Sequence, residues 1–400
     1  MQHRQHGEKI DSLAIHFYLD SQSTPHLNDW ITTAISKQVE EIELNLSDIN
    51  HPDLHRNYEL LLESQRYQFR YGLIMMNQGR KSTVKRLHLE SCTFKSAIRF
   101  DGSSSLINVD LKRVKISDEQ LKNVLDTCSC LEWFSLDRCQ DLINLDVTAG
   151  AMQDLKYLNV NCCLRLESVE IRNLNLAEFE YSGPHVKLIL KEVPRLAKFS
   201  LSVISGDIKG SITEALTKLP AKLPALETFN LLLNLDMKTL ILPEDAPTFT
   251  NVKQLILTIV PLKDDDDFAW MTYLLKAFPL LQKLQLNLFS SSSFSTKEVR
   301  PIPECGHEHL KEVEINGFRG NQNEIELIQY LSRNMVGLKA EDLVFNWECK
   351  RYRGFNNWEV DEHISSFDRR LWNQIKTSLQ RRLKMMNIYK PCQPYSIDVM

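Results

Sequence analysis

The sequence predicts an α/β solenoid in which short parallel strands stack side by side, and three observations support this fold class. First, one apolar pattern recurs with starts at Leu106, Leu131 and Leu155, which are 25 and 24 residues apart. Second, each copy places apolar residues or cysteine at relative positions 1, 4, 6 and 9. Third, 43% of the 400 residues are apolar, enough for a continuous core. This period and spacing are those of leucine-rich repeats.

The strand of each copy is expected to bury one face and to expose the other. Side chains alternate along a strand, so positions 4 and 6, such as Phe134 and Leu136, point to the core while positions 3, 5 and 7 face outward. Aromatic anchors among adaptable polar groups are typical of protein interfaces. The outward residues therefore predict a protein-binding concave face, the alternative being a solvated face without a partner. They are Trp133, Ser135, Asp137, Tyr157, Asn159, Asn161, Glu178 and Glu180.

Each strand should lead into a bend and then into a second, outer element. Ser117 and Gln120 have the spacing of a capping box, which predicts a helix with an apolar stripe from Leu121 to Leu125. Beyond Cys163 the copies shorten to 21 and 20 residues, too few for a helix, so outer strands are expected at 167–171 and 186–190. Longer turns then predict helices at 212–219 and 270–278.

The two ends of the repeat region have their own patterns. Residues 12–17 and 39–44 alternate as strands around a helix that opens at Leu27, which predicts a first complete turn. Between Asn50 and Ser82 the pattern is lost, and Tyr67, Phe69, Tyr71 and Leu73 are expected to plug this end of the core. At the other end, helical stripes at 325–335 and 367–386 surround a strand at 343–345, as expected of a cap over the last turn.

Several of these features resemble plant F-box/leucine-rich-repeat proteins over essentially the whole chain. The carriers are the Cys-type repeats, the run from Leu155 to Tyr181 with its Cys162-Cys163 pair, and the unit from His309 to Phe318, which looks like the FBD-type tail of that family. The resemblance implies a ribonuclease-inhibitor-like horseshoe with a parallel concave sheet and a mixed helix and strand outer face. It also implies a solenoid over residues 1–320 and an FBD-like capping segment over 321–400.

The resemblance further implies a function. In that family an N-terminal F-box docks the adaptor Skp1, and the repeats recruit a target for ubiquitination by a cullin-based ligase. Only eleven residues precede the first predicted strand, so we expect the F-box to be missing and direct Skp1 binding to be absent. The sequence thus predicts a non-catalytic recognition scaffold related to substrate receptors of SCF-type ligases. The alternatives are a complete adaptor whose F-box is missing from this sequence, and a stand-alone repeat protein without a ubiquitin role.

Other chemistries are less well supported by the residues. Phosphate-loop, zinc-protease and nucleophile-elbow motifs are absent, so no enzyme activity and no cofactor are predicted. Cys128, Cys130 and Cys139 could hold zinc, as could His307 with His309, but buried thiols and a solvated turn are the preferred interpretations.

The net charge and the targeting signals of the chain narrow the possible partners and locations. A net charge of −4 does not favour nucleic acid, although the basic stretch 369–384 leaves an acidic partner or RNA as an alternative to a solvated helix face. Without a signal peptide or an apolar span, a cytoplasmic or nuclear location is expected.

Overall fold

The computed structural model describes most of the repeat region and part of the C-terminal segment. The described residues are 10–47, 65–77, 80–95, 104–148, 152–233, 242–243, 245–262, 270–290, 307–318, 322–335, 338, 342–346, 350–352 and 358–360. The chain forms two compact units, Met1–Ser211 and Ile212–Met400. This division lies inside the predicted solenoid, whereas the predicted boundary between residues 320 and 321 falls outside the described residues and stays a prediction.

The first unit is built on a parallel sheet. Its strands are β1 (Ser12–His16), β2 (Glu41–Asn45), β3 (Gln68–Arg70), β4 (Met76–Asn77), β5 (Arg80–Lys81), β6 (Arg86–Glu90), β7 (Thr93–Lys95), β8 (Asn108–Lys112), β9 (Trp133–Asp137), β10 (Asn144–Thr148), β11 (Tyr157–Asn161), β12 (Ser168–Arg172), β13 (Glu178–Pro184), β14 (Lys187–Lys191) and β15 (Lys198–Ser205). Eight of these fifteen strands join the main sheet, in the order β1-β2-β6-β8-β9-β11-β13-β15. Its helices are α1 (Thr24–Ser36), α2 (Gly72–Met75) and α3 (Asp118–Leu125), after a short 3-10 turn at Ser21–Ser23.

The repeat pattern fixes the register of this sheet. Strands β9 and β11 pair in parallel so that Phe134 lies beside Leu158 and Leu136 beside Val160, and all four side chains are buried. The ninth-position cysteines are buried too, as predicted. Helix α3 begins with the predicted capping box, in which the Gln120 amide donates to Ser117 Oγ at 3.3 Å and the Ser117 amide to Gln120 Oε1 at 3.0 Å.

At the eighth repeat position, a left-handed residue turns the chain out of four strands of the main sheet, β6, β8, β9 and β11. Ser91, Arg113, Arg138 and Cys162 have φ between +52° and +61°. Their amides donate to the carbonyl at the end of the next strand, for example Arg113 to Asp137 at 2.7 Å and Cys162 to Ser182 at 2.6 Å. This hydrogen bond offsets the cost of the left-handed conformation, which is otherwise unfavourable for residues other than glycine.

The outer side of the first unit carries a second parallel sheet in the order β10-β12-β14. Strands β12 and β14 confirm the predicted outer strands, whereas β10 was not predicted. Asp118, the first residue of α3, anchors the start of β10, because its carboxylate accepts the amides of Ile143 and Asn144, each at 2.9 Å. The outer surface therefore changes from helix to strand at this point, as the shortened repeats indicated.

The N-terminal turn is closed by aromatic side chains. Tyr67, Phe69 and Tyr71 are fully buried, which confirms that they fill the core at this end, whereas Leu73 keeps intermediate exposure. Strand β3 pairs in parallel with β7, so that Phe69 lies beside Phe94. Burial raises the pKa of the Tyr71 hydroxyl far above its usual value, and that hydroxyl lies 3.1 Å from Thr127 Oγ1.

The second unit repeats the same plan. Its strands are β16 (Thr228–Leu233), β17 (Gln254–Leu262), β18 (Lys283–Ser290), β19 (Glu312–Asn316), β20 (Leu343–Asn346), β21 (Lys350–Tyr352) and β22 (Trp358–Val360). Strands β16 to β20 pair in parallel in sequence order, and β21 pairs with β22 in antiparallel fashion. Helices α5 (Trp270–Lys276) and α6 (Gln322–Asn334) lie in this unit, while α4 (Ile208–Lys218) includes the division point. All three helices were predicted, and the helix expected at 367–386 lies outside the described residues.

A row of amide side chains runs through the second unit at the seventh strand position. Asn346 Nδ2 donates to Asn316 Oδ1 at 2.8 Å, and Asn316 Nδ2 donates to Asn287 Oδ1 at 2.9 Å. Asn287 Nδ2 then donates to Thr258 Oγ1 at 3.2 Å. Asn287 and Asn316 are fully buried, so this ladder satisfies polar groups that would be costly if unpaired.

Candidate protein-binding face

The predicted binding residues come together on one face of the main sheet. The side chains at the third, fifth and seventh repeat positions of β8, β9, β11 and β13 form a surface that we call the central face. It consists of Asn108, Asp110, Lys112, Trp133, Ser135, Asp137, Tyr157, Asn159, Asn161, Glu178, Glu180 and Ser182. The strands pair in register, so each row of this face crosses all four strands. All eight residues predicted from the sequence belong to it.

The most distinctive feature of the central face is a pair of stacked aromatic rings. Trp133 and Tyr157 are partners in the register of β9 and β11. Their ring centroids are 3.8 Å apart, and the ring planes differ by 18°. We call this pair the aromatic ledge. Stacking fixes both rings, so a ligand that contacts them would lose little side-chain entropy on binding.

The central face is less open than the sequence suggested. The sequence predicts outward side chains, but Ser135 retains 2%, Tyr157 5%, Asn159 8% and Glu180 4% of their full exposure. The expectation that these four are open to solvent is therefore wrong. Strands in a sheet lie only about 4.8 Å apart, so in-register side chains cover one another. Trp133, Asp137, Asn161 and Glu178 keep intermediate exposure and are the accessible members of the predicted set.

Hydrogen bonds between neighbouring strands hold the polar part of this face. Asn159 Nδ2 donates to Ser135 Oγ at 3.2 Å, and Asn161 Nδ2 donates to Asp137 Oδ1 at 2.8 Å. Burial raises the pKa of the Asp137 carboxyl, although the Arg138 guanidinium opposes this shift. The face is thus organised before any partner arrives, which favours binding without a large ordering cost.

Carboxylates surround the aromatic ledge on both sides. On β8, Asp110 lies 2.8 Å from His88 Nδ1, and on β13, Glu178 lies 3.6 Å from Lys198 Nζ. Beside β8, the buried Glu90 on β6 pairs with Arg113 and, at 3.4 Å, with Lys112. The charges of this region are therefore arranged in short ion pairs along the sheet rather than scattered.

Strand β8 also contributes to this face, which was not predicted from the sequence. Asn108, Asp110 and Lys112 occupy positions 3, 5 and 7 of the copy that begins at Leu106. The rule that selected Trp133 and Tyr157 applies equally to that first copy, so the signal was available. Only the pairing of β8 with β9, which places Asn108 beside Trp133, shows that the two copies share one surface.

The other candidate sites have ordinary structural surroundings. Cys128 and Cys139 are buried thiols as expected, whereas Cys130 is exposed, and burial raises the pKa of the Cys128 thiol. The expectation of a solvated turn holds for the exposed His309 but is wrong for His307, which is buried with its Nε2 2.8 Å from the Phe278 carbonyl oxygen. Among the described residues, no group of three or more His, Cys, Asp and Glu side chains could hold a metal ion. Over the same residues, no helix is long and apolar enough to cross a membrane.

The fold and this face define a class of protein. The parallel strands recur every 20 to 30 residues, bury alternate positions and are followed in several cases by a left-handed turn. These features together define a leucine-rich-repeat solenoid. A family model described as the LRR domain of At1g61320/AtMIF1 matches residues 1–388, and the chain belongs to this family.

A curated relative also bears on the function. The chain is 25% identical over 160 residues to F-box protein At5g03100 of Arabidopsis thaliana. This match covers 40% of the chain and 45% of that relative, so it spans less than half the length of either protein. No solved structure matches the chain significantly.

Proposed function

We propose that this protein is a non-catalytic recognition scaffold, related to substrate receptors of SCF-type ubiquitin ligases, that binds a target protein on its central face. The observation that carries the proposal is the aromatic ledge within a polar, pre-ordered strand face. Rigid aromatic side chains near the centre of a polar surface are typical of binding hot spots. Membership in the LRR-domain family and similarity to an F-box protein support the same class of function.

The size of the central face indicates how a target would engage it. Four strands at a spacing of about 4.8 Å and five residues at about 3.3 Å each give an area on the order of 300 Å². A stable complex usually covers about 800 Å² on each partner. The central face would therefore be the middle of a larger interface that extends over neighbouring strands, with the aromatic ledge near its centre.

Site-directed photo-cross-linking tests this proposal. The full chain would carry a photoreactive phenylalanine analogue at Asn108, beside Trp133, and a control chain would carry it at Lys122 on the outer helix α3. We expect Asn108 to cross-link specific proteins in plant extract and Lys122 not to, and the identified protein to rebind in purified form. Equal labelling from both positions, or rebinding that Trp133→Leu leaves unchanged, would contradict a target site on this face.

The link to a ligase is a second, separable part of the proposal. It is supported by the name of the F-box relative and by the repeat type. Calorimetric titration of the full chain with purified Skp1 distinguishes the alternatives. Binding at micromolar concentration would support a ligase adaptor, whereas no binding would leave a stand-alone scaffold or a receptor that depends on another subunit.

A further inference from the structure

We infer that the central face recognises a basic segment of its partner, with an arginine side chain placed against the aromatic ledge. This inference rests on the proposed function and adds to it the chemistry of the bound segment. It depends on charge, on ring geometry and on which side chains remain accessible. Each of these can be read from the four strands that form the face.

The twelve side chains of the central face carry a net negative charge, and the cationic neighbours of its carboxylates, His88, Arg138 and Lys198, lie outside the face. Of its twelve side chains, all of them described, four are carboxylates and one is a lysine, which gives a formal charge of −3. The carboxylates are Asp110, Asp137, Glu178 and Glu180. The whole chain carries only −4, so this small area holds an acidic excess far above the average for the protein. Complementary charge on a partner would speed encounter and select against acidic competitors.

The arrangement of these carboxylates matches a guanidinium group better than a dispersed positive charge. On the β8 side, Asn108 pairs with Trp133 and Asp110 pairs with Ser135, so the Asp110 carboxylate lies diagonally from Trp133. Glu178 and Glu180 flank it on the β13 side, because Glu178 pairs with Tyr157. A planar guanidinium can stack on an aromatic ring and at the same time donate to a carboxylate, which an ammonium group does less well.

Accessibility selects which groups would make contact. Tyr157 and Glu180 are buried, so they support the surface rather than touch a partner. The side chain of Asp110 is 34% exposed and that of Glu178 is 17% exposed, and Trp133 also remains partly accessible. Lys198 is 3.6 Å from Glu178, and a partner guanidinium would share or replace this weak, exposed pair. The arginine is therefore expected to contact Trp133 and Asp110, and a second basic group of the segment to reach Glu178, which lies beside Tyr157 and two strands from Trp133.

Selection from a random peptide library tests the inference directly. The probe is a phage-displayed library of dodecapeptides panned on the immobilised full chain, and the selected peptides are then synthesised. We expect arginine-rich sequences, and we expect replacement of arginine by its neutral isostere citrulline to weaken binding about tenfold in calorimetry. Binding should also weaken as salt rises, since exposed charge pairs are screened.

Variants locate the binding on the protein. Trp133→Leu should weaken the selected peptide about tenfold, and the isosteric change Glu178→Gln about threefold. Glu214→Gln, which removes an exposed carboxylate from the outer helix α4, is the matched charge control and should leave affinity unchanged. Because Glu178→Gln alters no volume, its effect is readable even if Trp133→Leu lowers stability.

The possible failures separate the two proposals. Selected peptides that depend on Trp133 but lack basic residues would overturn the basic-segment inference and leave recognition by the central face standing. Basic peptides that bind equally to wild type, Trp133→Leu and Glu178→Gln would overturn the inference as non-specific charge attraction. Selected peptides of any composition that are indifferent to all changes on this face would contradict the proposed function as well.

Discussion

Leu158 shows how a single residue connects neighbouring repeats. It lies at the fourth position of β11, in register with Phe134 on β9 and Phe179 on β13, and it is fully buried. We expect Leu158→Ala to lower the free energy of unfolding by about 2–5 kcal/mol, because a cavity would open between three turns. Chemical denaturation followed by circular dichroism would measure this loss.

Leu164 provides the matched control, since it carries the same side chain but is 52% exposed after the same strand. Leu164→Ala should change the free energy of unfolding by less than about 0.5 kcal/mol. Equal losses for Leu158→Ala and Leu164→Ala would show that the predicted core assignment is wrong.

The buried His307 should make the stability of the second unit depend on pH. Burial lowers the pKa of its imidazole below the usual value of 6.5, so the folded state favours the neutral form. Its contribution to stability is therefore complete above about pH 6.5 and declines as the pH falls through that value, because the unfolded chain takes up the proton first. Melting temperatures between pH 7.5 and 5.5 should fall less steeply for His307→Gln than for wild type.

The exposed neighbour His309 serves as the control for this measurement. His309→Gln, which changes an exposed side chain and leaves His307 buried, should retain most of the wild-type slope. A slope that disappears in His309→Gln and persists in His307→Gln would reverse the assignment.

At the scale of elements, the strand-to-turn junction is the most repeated feature. Ser91 has φ of +61° there, and its Oγ is buried without a hydrogen-bond partner in the described structure. We expect Ser91→Gly to raise the free energy of unfolding by about 0.5–1 kcal/mol, because glycine adopts this conformation without strain. Its amide would still donate to the Lys112 carbonyl, now at 3.0 Å.

The same substitution in a strand should have the opposite sign. Ser168 lies in β12, and its Oγ donates to Asn144 Oδ1 at 2.7 Å. Ser168→Gly should therefore destabilise the protein in the same denaturation assay. If both glycine variants were destabilising, the left-handed turn would not be a source of strain.

The amide ladder supplies a prediction for the strands of the second unit. Asn316→Ala would remove the donor to Asn287, which is fully buried, and the acceptor of Asn346, which is half-buried. We expect a loss of about 1–3 kcal/mol for each buried polar group left unpaired, measured by thermal unfolding. Asn144→Ala, at an exposed position of β10, should cost less. Equal melting temperatures for Asn316→Ala and wild type would show that the ladder contributes no stability.

The elements that the sequence could predict are those with a strong local signal. Helix α3 carries a capping box, the outer strand β12 alternates between apolar and polar residues, and β14 is a short apolar run between two lysines. Strand β10 was missed although Leu145 and Val147 alternate as well, because its placement depends on Asp118, 25 residues earlier. The left-handed turns were missed for a similar reason, since serine, arginine and cysteine carry no local preference for positive φ.

For the whole molecule, periodicity was sufficient to predict the repeat class, but it could not predict exposure. A repeat pattern states which side of a strand a residue occupies, and the structure places Trp133 and Asn159 on that side. How far a residue is covered depends on the sizes of its neighbours on adjacent strands, which the pattern does not contain. Tyr157 is buried because Trp133 stacks on it, a contact between residues 24 positions apart.

Hydroxyl-radical footprinting can show whether the central face binds a partner. The oxidation rate of Trp133 would be measured with and without the partner identified by cross-linking, with Trp30 on α1, which is 48% exposed, as an internal reference. If Trp133 is buried at the centre of the interface, the partner should slow its oxidation at least about fivefold and leave the oxidation rate of Trp30 unchanged. Unchanged oxidation of Trp133 in a saturated complex would contradict binding at the central face.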